Sequence, residues 1–362
     1  MSVECAATAP VHPGRILINE LEKLGMSQKE LAVRTGVTEK HVSTIITGKK
    51  NISATFAKKL EYALGISASK WMDLQADYDR RLIELEEKHG ISSEELGITK
   101  ILKDVIGVLS QYKLIKTEVN DVDLVLQLRK LMRVNNLTAI PDIPYSAAYR
   151  AQVRNNVRVD AYVLYAWQRL CEIVTEPIAV KGQLNPGLLQ SRLSEIKDTM
   201  FLGINDIRKR LTNIFAECGI AFAIVHNFQG APVQGFIKQT VQGKTILCLT
   251  LRQKRADTFW FTLFHEIGHL LKGDASTRFV DFKSVKSEQE AQADSFARDV
   301  LIQPKAYREF IRQRDYSFAA IKKFARSLNV KPFVVVGRLQ SDELIDWTDC
   351  QASIEYYGWA AP

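Results

Sequence analysis

Apolar positions recur every three or four residues over most of this chain, so the pattern predicts a mainly helical protein. Residues 13–66 hold four short helical stretches separated by glycine: Gly14–Leu24, Ser27–Thr35, Thr38–Thr47 and Ser53–Leu64. Ser27 is expected to cap the second, with Glu30 completing a capping box, and Thr38 to cap the third. Asp77–Lys88, Ser92–Ile115 and Asp121–Val134 continue in helical period. Asn135–Tyr145, with Pro141 and Pro144, breaks it and reads as a linker. Val159–Val174, with Trp167 and Leu170 turned to the core, Leu189–Phe201 and Asn205–Cys218 are further helices. The period then shortens to two. Ala221–Val225, Gln234–Val241 and Thr245–Leu251 read as strands, the last two joined across Gln242-Gly243-Lys244. Four more helical stretches follow: 259–272, 287–302, 317–328 and 332–339.

Candidate chemistry concentrates in Phe259–Lys272, FWFTLFHEIGHLLK. Trp260, Phe261, Leu263, Phe264, Ile267, Leu270 and Leu271 cover nearly every side of this helix, which is therefore expected to be buried, with Asp257 as N-cap and Gly273 as stop. Within it, His265-Glu266-Ile267-Gly268-His269 places two imidazoles four residues apart, on one face. Two such imidazoles can point at one metal ion, and zinc takes histidine nitrogen readily. Glu266 stands between them, placed to take a proton from water activated by the metal. In the next helix Glu290 and Asp294 fall on the apolar stripe of Ala293, Phe296, Ala297, Val300 and Leu301. A carboxylate on an inward face needs a cation or a donor. Glu290 is thus the third expected ligand and Asp294 the group that orients a ligating histidine. Glu288 is the rival ligand, on a face that reads as solvated. Three protein ligands leave one coordination position open, the catalytic zinc pattern. His226 reads as a surface histidine at a strand end.

A second constellation lies near the N-terminus. SQKELAVRTGVTEKHVSTIITG is two helices joined by a tight, glycine-containing turn, a helix-turn-helix. Val42, Ile45 and Ile46 of its second helix face the core. Thr38, Glu39, Lys40, Ser43 and Thr44 lie on the side such proteins present to base edges in the major groove. Lys40 suits guanine and Glu39 suits cytosine. Gln28, Lys49, Lys50 and Asn51 suit phosphates.

Composition narrows the class. At 362 residues, with 46% hydrophobic and 25% charged, the chain is a soluble globular protein of two or three domains. A net charge of +8 permits nucleic-acid binding. The five scattered cysteines, without a CxxC pair, read as free thiols in a reducing compartment. The N-terminus lacks a secretory pattern and no apolar run is long enough to span a bilayer. A cytoplasmic protein with no membrane contact is expected.

FWFTLFHEIGHLL followed by Glu290-x-x-Ala293-Asp294-x-Phe296-Ala297 resembles the ImmA/IrrE family of metallopeptidases. The resemblance covers roughly 180–340. It implies a zincin-like fold, cleavage of repressor-type proteins, His265, His269 and Glu290 as zinc ligands and Glu266 as catalytic base. Residues 12–79 resemble the XRE-type repressor domain. More closely they are similar to HigA-type antitoxins, through Pro13-Gly14-Arg15-Ile16-Leu17 and the Trp71-x-x-Leu74-Gln75-x-x-Tyr78-Asp79 signature. The expected architecture is an all-α, lambda-repressor-like helix-turn-helix domain over 1–79, a helical connector over 80–175, and an α+β zincin-like metallopeptidase domain over 176–362. The expected function is a transcriptional regulator that binds operator DNA as a homodimer. Its zinc endopeptidase domain would cleave a repressor or partner protein, or the chain itself within the exposed 135–145 stretch. The alternative is an antitoxin-like repressor that binds a toxin and uses the metal domain as sensor or scaffold. A strand just before the metal helix is expected to bind the substrate backbone by strand addition.

Overall fold

The computed structural model describes residues 10–143, 148–151, 160–229, 233–251, 254–273 and 288–358, with 148–151 and 234 described by their backbone alone. Cys5, one of the five cysteines, and Pro144, Tyr145, Val159 and Ser287 lie outside the described residues. The chain divides into two compact units, 1–92 and 93–362.

The first unit is all-α: α1 (Pro13–Lys23), α2 (Gln28–Thr35), α3 (Glu39–Ile46), α4 (Ala54–Leu64) and α5 (Ala68–His89). Serine and threonine caps start α2 to α5, because each Oγ accepts one of the backbone N–H groups that a helix N-terminus leaves unpaired. Ser27 accepts from Glu30 N at 3.1 Å, but the Glu30 carboxylate turns to Arg34 at 2.6 Å. The expected capping box is therefore only half formed. α1 and α3 meet at Gly14, where a Cβ would lie 2.9 Å from the Ile45 carbonyl carbon and collide with its oxygen. The last helix closes the unit. Trp71 is fully buried, and Gln75 Oε1 accepts the Ile52 N–H at 2.9 Å while its amide donates to Asp79 at 2.8 Å. Tyr78 stands edge-on to His12, whose ring caps α1. The Trp71–Asp79 signature is thus a clamp holding α5 to the turn after α3 and to the start of the chain.

The second unit begins with α6 (Ser93–Ile101), α7 (Lys103–Gln111) and α8 (Asp121–Met132). The helical period predicts a single helix over 92–115. The backbone instead unwinds at Leu102, whose ψ is 11°, and the bend buries that side chain completely. The 135–145 stretch also differs from an exposed linker. Leu137–Asp142 forms a 3-10 turn with Leu137 and Ile140 fully buried. The Leu137 N–H donates to the buried Glu95 carboxylate, which Arg129 also grips through two nitrogens. Leu137 and Ile140 anchor the described part of this segment, while Asn135, Pro141 and Asp142 are exposed.

β1 (Ala148–Ala151), which no pattern predicted, precedes α9 (Ala161–Thr175). Next come α10 (Pro186–Ser191), α11 (Leu193–Asp198) and α12 (Ile204–Glu217), followed by β2 (Ile220–Val225), β3 (Val233–Gln239) and β4 (Thr245–Thr250). The four strands make one sheet in the order β1-β3-β4-β2. β2 runs parallel to β4, and β3 runs antiparallel to both β4 and β1. Every β4 residue is buried, because helices cover both faces. On one face Trp167 of α9 meets Phe236 edge-on and Cys171 lies against Cys248. On the other, Ile237, Leu247 and Leu249 join the main core with Phe222 and α13 (Ala256–Lys272). α14 (Glu288–Leu301), α15 (Pro304–Arg312), α16 (Phe318–Ser327) and α17 (Pro332–Ser341) complete that core. Since β4 is paired on both edges, it cannot take a substrate strand, and the expectation that it does is corrected.

Candidate metal centre and nucleic-acid interface

α13 is held at both ends. Its N-terminus has no side-chain cap: Asp257 sits in the first turn and pairs with Arg255 at 2.8 Å instead of capping. The segment 354–357 straps this end, with Ala256 N–H on Glu355 O at 2.9 Å and the Trp260 indole N–H on the Tyr357 hydroxyl at 2.8 Å. Nothing in the sequence pattern of 342–362 marks this role. Gly273, with φ 79°, ends the helix. α14 crosses α13 at Gly268, where a Cβ would come within 3.3 Å of Ala293 Cα. That close approach carries Glu290 and Asp294 to the histidines.

His265 is fully buried and His269 nearly so. The His265 Nδ1 meets Asp294 Oδ1 at 2.7 Å, which turns Nε2 toward His269 Nε2, 3.0 Å away. The Glu290 oxygens lie 3.3 Å from His265 Nε2 and 3.4 Å from His269 Nε2. Ligand atoms of His265, His269 and Glu290 all fall within 4.8 Å of one another. A tetrahedral zinc with bonds near 2.0–2.1 Å sets its ligand atoms about 3.3 Å apart. The three residues therefore fit such an ion. Hydrogen bonding from His265 and then His269 holds the Glu290 carboxyl well below the usual carboxylate range, against burial that raises it. Glu288 is exposed and reaches Gln292, away from the cluster. His226 sits at the end of β2, on the opposite edge of the sheet from β1, with Nδ1 2.7 Å from Asn227 O.

Glu266 is also buried, and its carboxylate lies against β3. A Cβ on Gly235 would stand 2.6 Å from Glu266 Cδ. Gly235 is a site residue that the sequence reading missed. Its one signal is a glycine inside a strand pattern, which often marks a close backbone approach.

In the first unit, Glu39, Lys40, Lys49 and Lys50 are exposed, while Gln28, Ser43 and Thr44 are half-buried. Thr38 Oγ1 accepts from His41 N and so is engaged in capping α3. The Thr44 hydroxyl donates to His41 O at 2.8 Å. Lys50 Nζ stands 3.2 Å from His41 Nδ1, and burial, with Lys50 and Lys59 adding to it, keeps that imidazole below its ordinary pKa. Asn51 leans on Asp79. The side of α3 opposite Val42, Ile45 and Ile46 is thus polar, flanked by exposed lysines after its C-terminus.

A helix-turn-helix family model matches residues 17–71, and a peptidase M78 family model, described as an IrrE N-terminal-like domain, matches 228–340. Two proteins of Dichelobacter nodosus are similar to the first unit. Virulence-associated protein A' is 42% identical over 71 residues, 19% of this chain and 62% of that protein. Virulence-associated protein I is 30% identical over 79 residues, 22% of this chain and 73% of that protein. The chain therefore spans less than two thirds of the first of these relatives. Among solved structures, a HigA-family addiction module antidote protein from Coxiella burnetii is 29% identical, covering 24% of this chain and 98% of that one, with a TM-score of 0.22. The Pseudomonas aeruginosa antitoxin HigA, solved with the higBA promoter, is 31% identical, covering 23% and 97%, with a TM-score of 0.21. The chain belongs to the XRE-type helix-turn-helix family through its first unit and carries an IrrE-like peptidase M78 domain in its second. Both domain families expected from the sequence are matched, each over the region where its motif lies.

Proposed function

We propose that this protein is a cytoplasmic DNA-binding regulator whose second unit is a zinc-dependent endopeptidase acting on a protein partner. The observation that supports the reading most is the convergence of His265, His269 and Glu290 beside the buried Glu266 carboxylate. Zinc, when bound by those three, supplies Lewis acidity toward water and toward a peptide carbonyl. Asp294 fixes the His265 ring so that Nε2 faces the site. Glu266 takes the proton of the attacking water and passes it to the leaving amine. The α3 face of Glu39, Lys40, Ser43 and Thr44 reads base edges, and Lys49 and Lys50 neutralise phosphates, with a homodimer spanning two half-sites.

The test is Glu266→Gln, which removes the base and keeps every ligand. Wild type and variant, each checked for one zinc, are incubated with the proteins encoded beside them and followed by intact mass. Cleavage by wild type alone is expected. Full zinc with no cleavage by wild type would sink the peptidase reading and leave an antitoxin-like repressor with a metal scaffold.

A further inference from the structure

The edge of β3 beside Glu266 is already filled by the chain itself. Peptides added to a sheet edge bind through main-chain hydrogen bonds, so the position next to the reactive groups matters most. β4 is internal and β2 lies on the far side of the sheet, which leaves the outer edge of β3 as the one that passes the Glu266 carboxylate, at Gly235. β1 occupies that edge. It runs antiparallel to β3, with Ala148 opposite Ile237, Tyr149 opposite Phe236 and Arg150 opposite Gly235. Opposed residues in such a pair have Cα atoms about 4.5–5.5 Å apart. The backbone at Arg150 therefore passes the single β3 position that has no side chain and whose place is taken by the Glu266 carboxylate.

We propose that Ala148–Ala151 is an intramolecular occupant of the peptide site, competing there with substrate strands, so that the chain at rest is latent. The name peptide site rests on the peptidase reading; the pairing does not. Three features suit a removable occupant better than a permanent edge. The strand has four residues, too few to be stable alone. Its register shifts between Arg150 and Ala151, which interrupts the ladder beside Gly235. A tethered segment also meets its site at an effective concentration on the order of millimolar, enough to exclude dilute peptide but not a well-matched partner.

The probe is a fluorescein-labelled nonapeptide with the sequence of residues 146–154, added to the full zinc-loaded chain in a Glu266→Gln background. Tyr149→Pro with Arg150→Pro removes the pairing whichever residue donates to β3. This double variant should bind the peptide at least about ten-fold tighter by anisotropy. Its amides in 233–239 should exchange faster, and added peptide should slow them again. Unchanged affinity and unchanged exchange overturn the proposal. Should the double variant misfold, the Glu266→Gln chain with β1 intact decides. Excess unlabelled peptide should speed exchange at 148–151 while β3 stays protected, and no effect at millimolar peptide is equally fatal. With Glu266 restored, altered binding without turnover counts against the peptidase reading alone. Turnover without altered binding or exchange counts against the occupant alone.

Discussion

At the scale of single residues, the cluster of His265, His269 and Glu290 separates roles that composition leaves equal. Glu288 and Glu290 stand two positions apart on one helix, yet only Glu290 reaches the imidazoles. Glu290→Ala should lose most of the zinc found in the purified protein, and Glu288→Ala should keep it, as read by elemental mass spectrometry; zinc retained in full by Glu290→Ala would refute the ligand assignment. Asp294 acts differently, since it touches His265 on the nitrogen facing away from the cluster. Removing such an orienting carboxylate costs about 10–100-fold in metal affinity. Asp294→Ala should therefore bind zinc measurably more weakly in a chelator competition while still reaching full occupancy at excess metal.

At the scale of elements, three glycines stand where a side chain would crowd a neighbouring element. Gly268 admits α14, Gly14 admits α1 against α3, and Gly235 admits the Glu266 carboxylate beside β3. Gly235→Ala forces that carboxylate to move, and a one-ångström displacement of a reacting group costs about 100-fold in rate. The variant should keep its zinc and its melting temperature within a few degrees, yet lose about that factor in cleavage; wild-type turnover by Gly235→Ala would show that Glu266 has room to spare. Gly14→Ala overpacks a close backbone approach and should destabilise the first unit by about 1–3 kcal/mol, seen as a lowered first transition in calorimetry. The pattern of caps made the helices legible: Ser27, Thr38 and Ser53 each start a helix where the sequence places them. The motif helix, its partner and the strands β2 to β4 were legible for a similar reason, since period and length are local. What escaped is non-local. β1 owes its conformation to pairing with β3, 85 residues on from Arg150 to Gly235, and has no apolar run of its own. Leu102 bends a helix because a pocket awaits it, and the 354–357 strap is defined by the α13 end it grips. Gln75 was visible only as part of a signature, and its task, holding the Ile52 N–H, appears once α5 is packed.

At the scale of the whole molecule, the proposed function assigns DNA affinity and DNA preference to different groups of the first unit. Among the described residues no helix is long and apolar enough to cross a membrane, and the sequence carries a net charge of +8. Lys49 and Lys50 are exposed just past the end of α3, where a helix-turn-helix meets the phosphate backbone. Each phosphate neutralised releases condensed counterions, so the logarithm of affinity falls with that of salt by about 0.9 per phosphate. Lys49→Ala or Lys50→Ala should therefore weaken binding to every sequence alike and flatten the salt slope by about one for each phosphate that a protomer no longer neutralises. Lys40 stands on the exposed face of α3, beside Glu39 and away from the helix's buried side. Lys40→Ala should instead leave the salt slope nearly intact while relaxing preference at particular base pairs by about 1–3 kcal/mol each. Thr38 gives a control, because its hydroxyl is engaged in starting α3: Thr38→Ala should cost about 1 kcal/mol of stability, with any loss of binding tracking the folded fraction. The measurement is a salt titration of the full chain against DNA from upstream of its own gene and against a scrambled duplex. If Lys40→Ala and Lys49→Ala shift both duplexes equally and change the slope equally, base reading by α3 is wrong and the first unit binds DNA by charge alone.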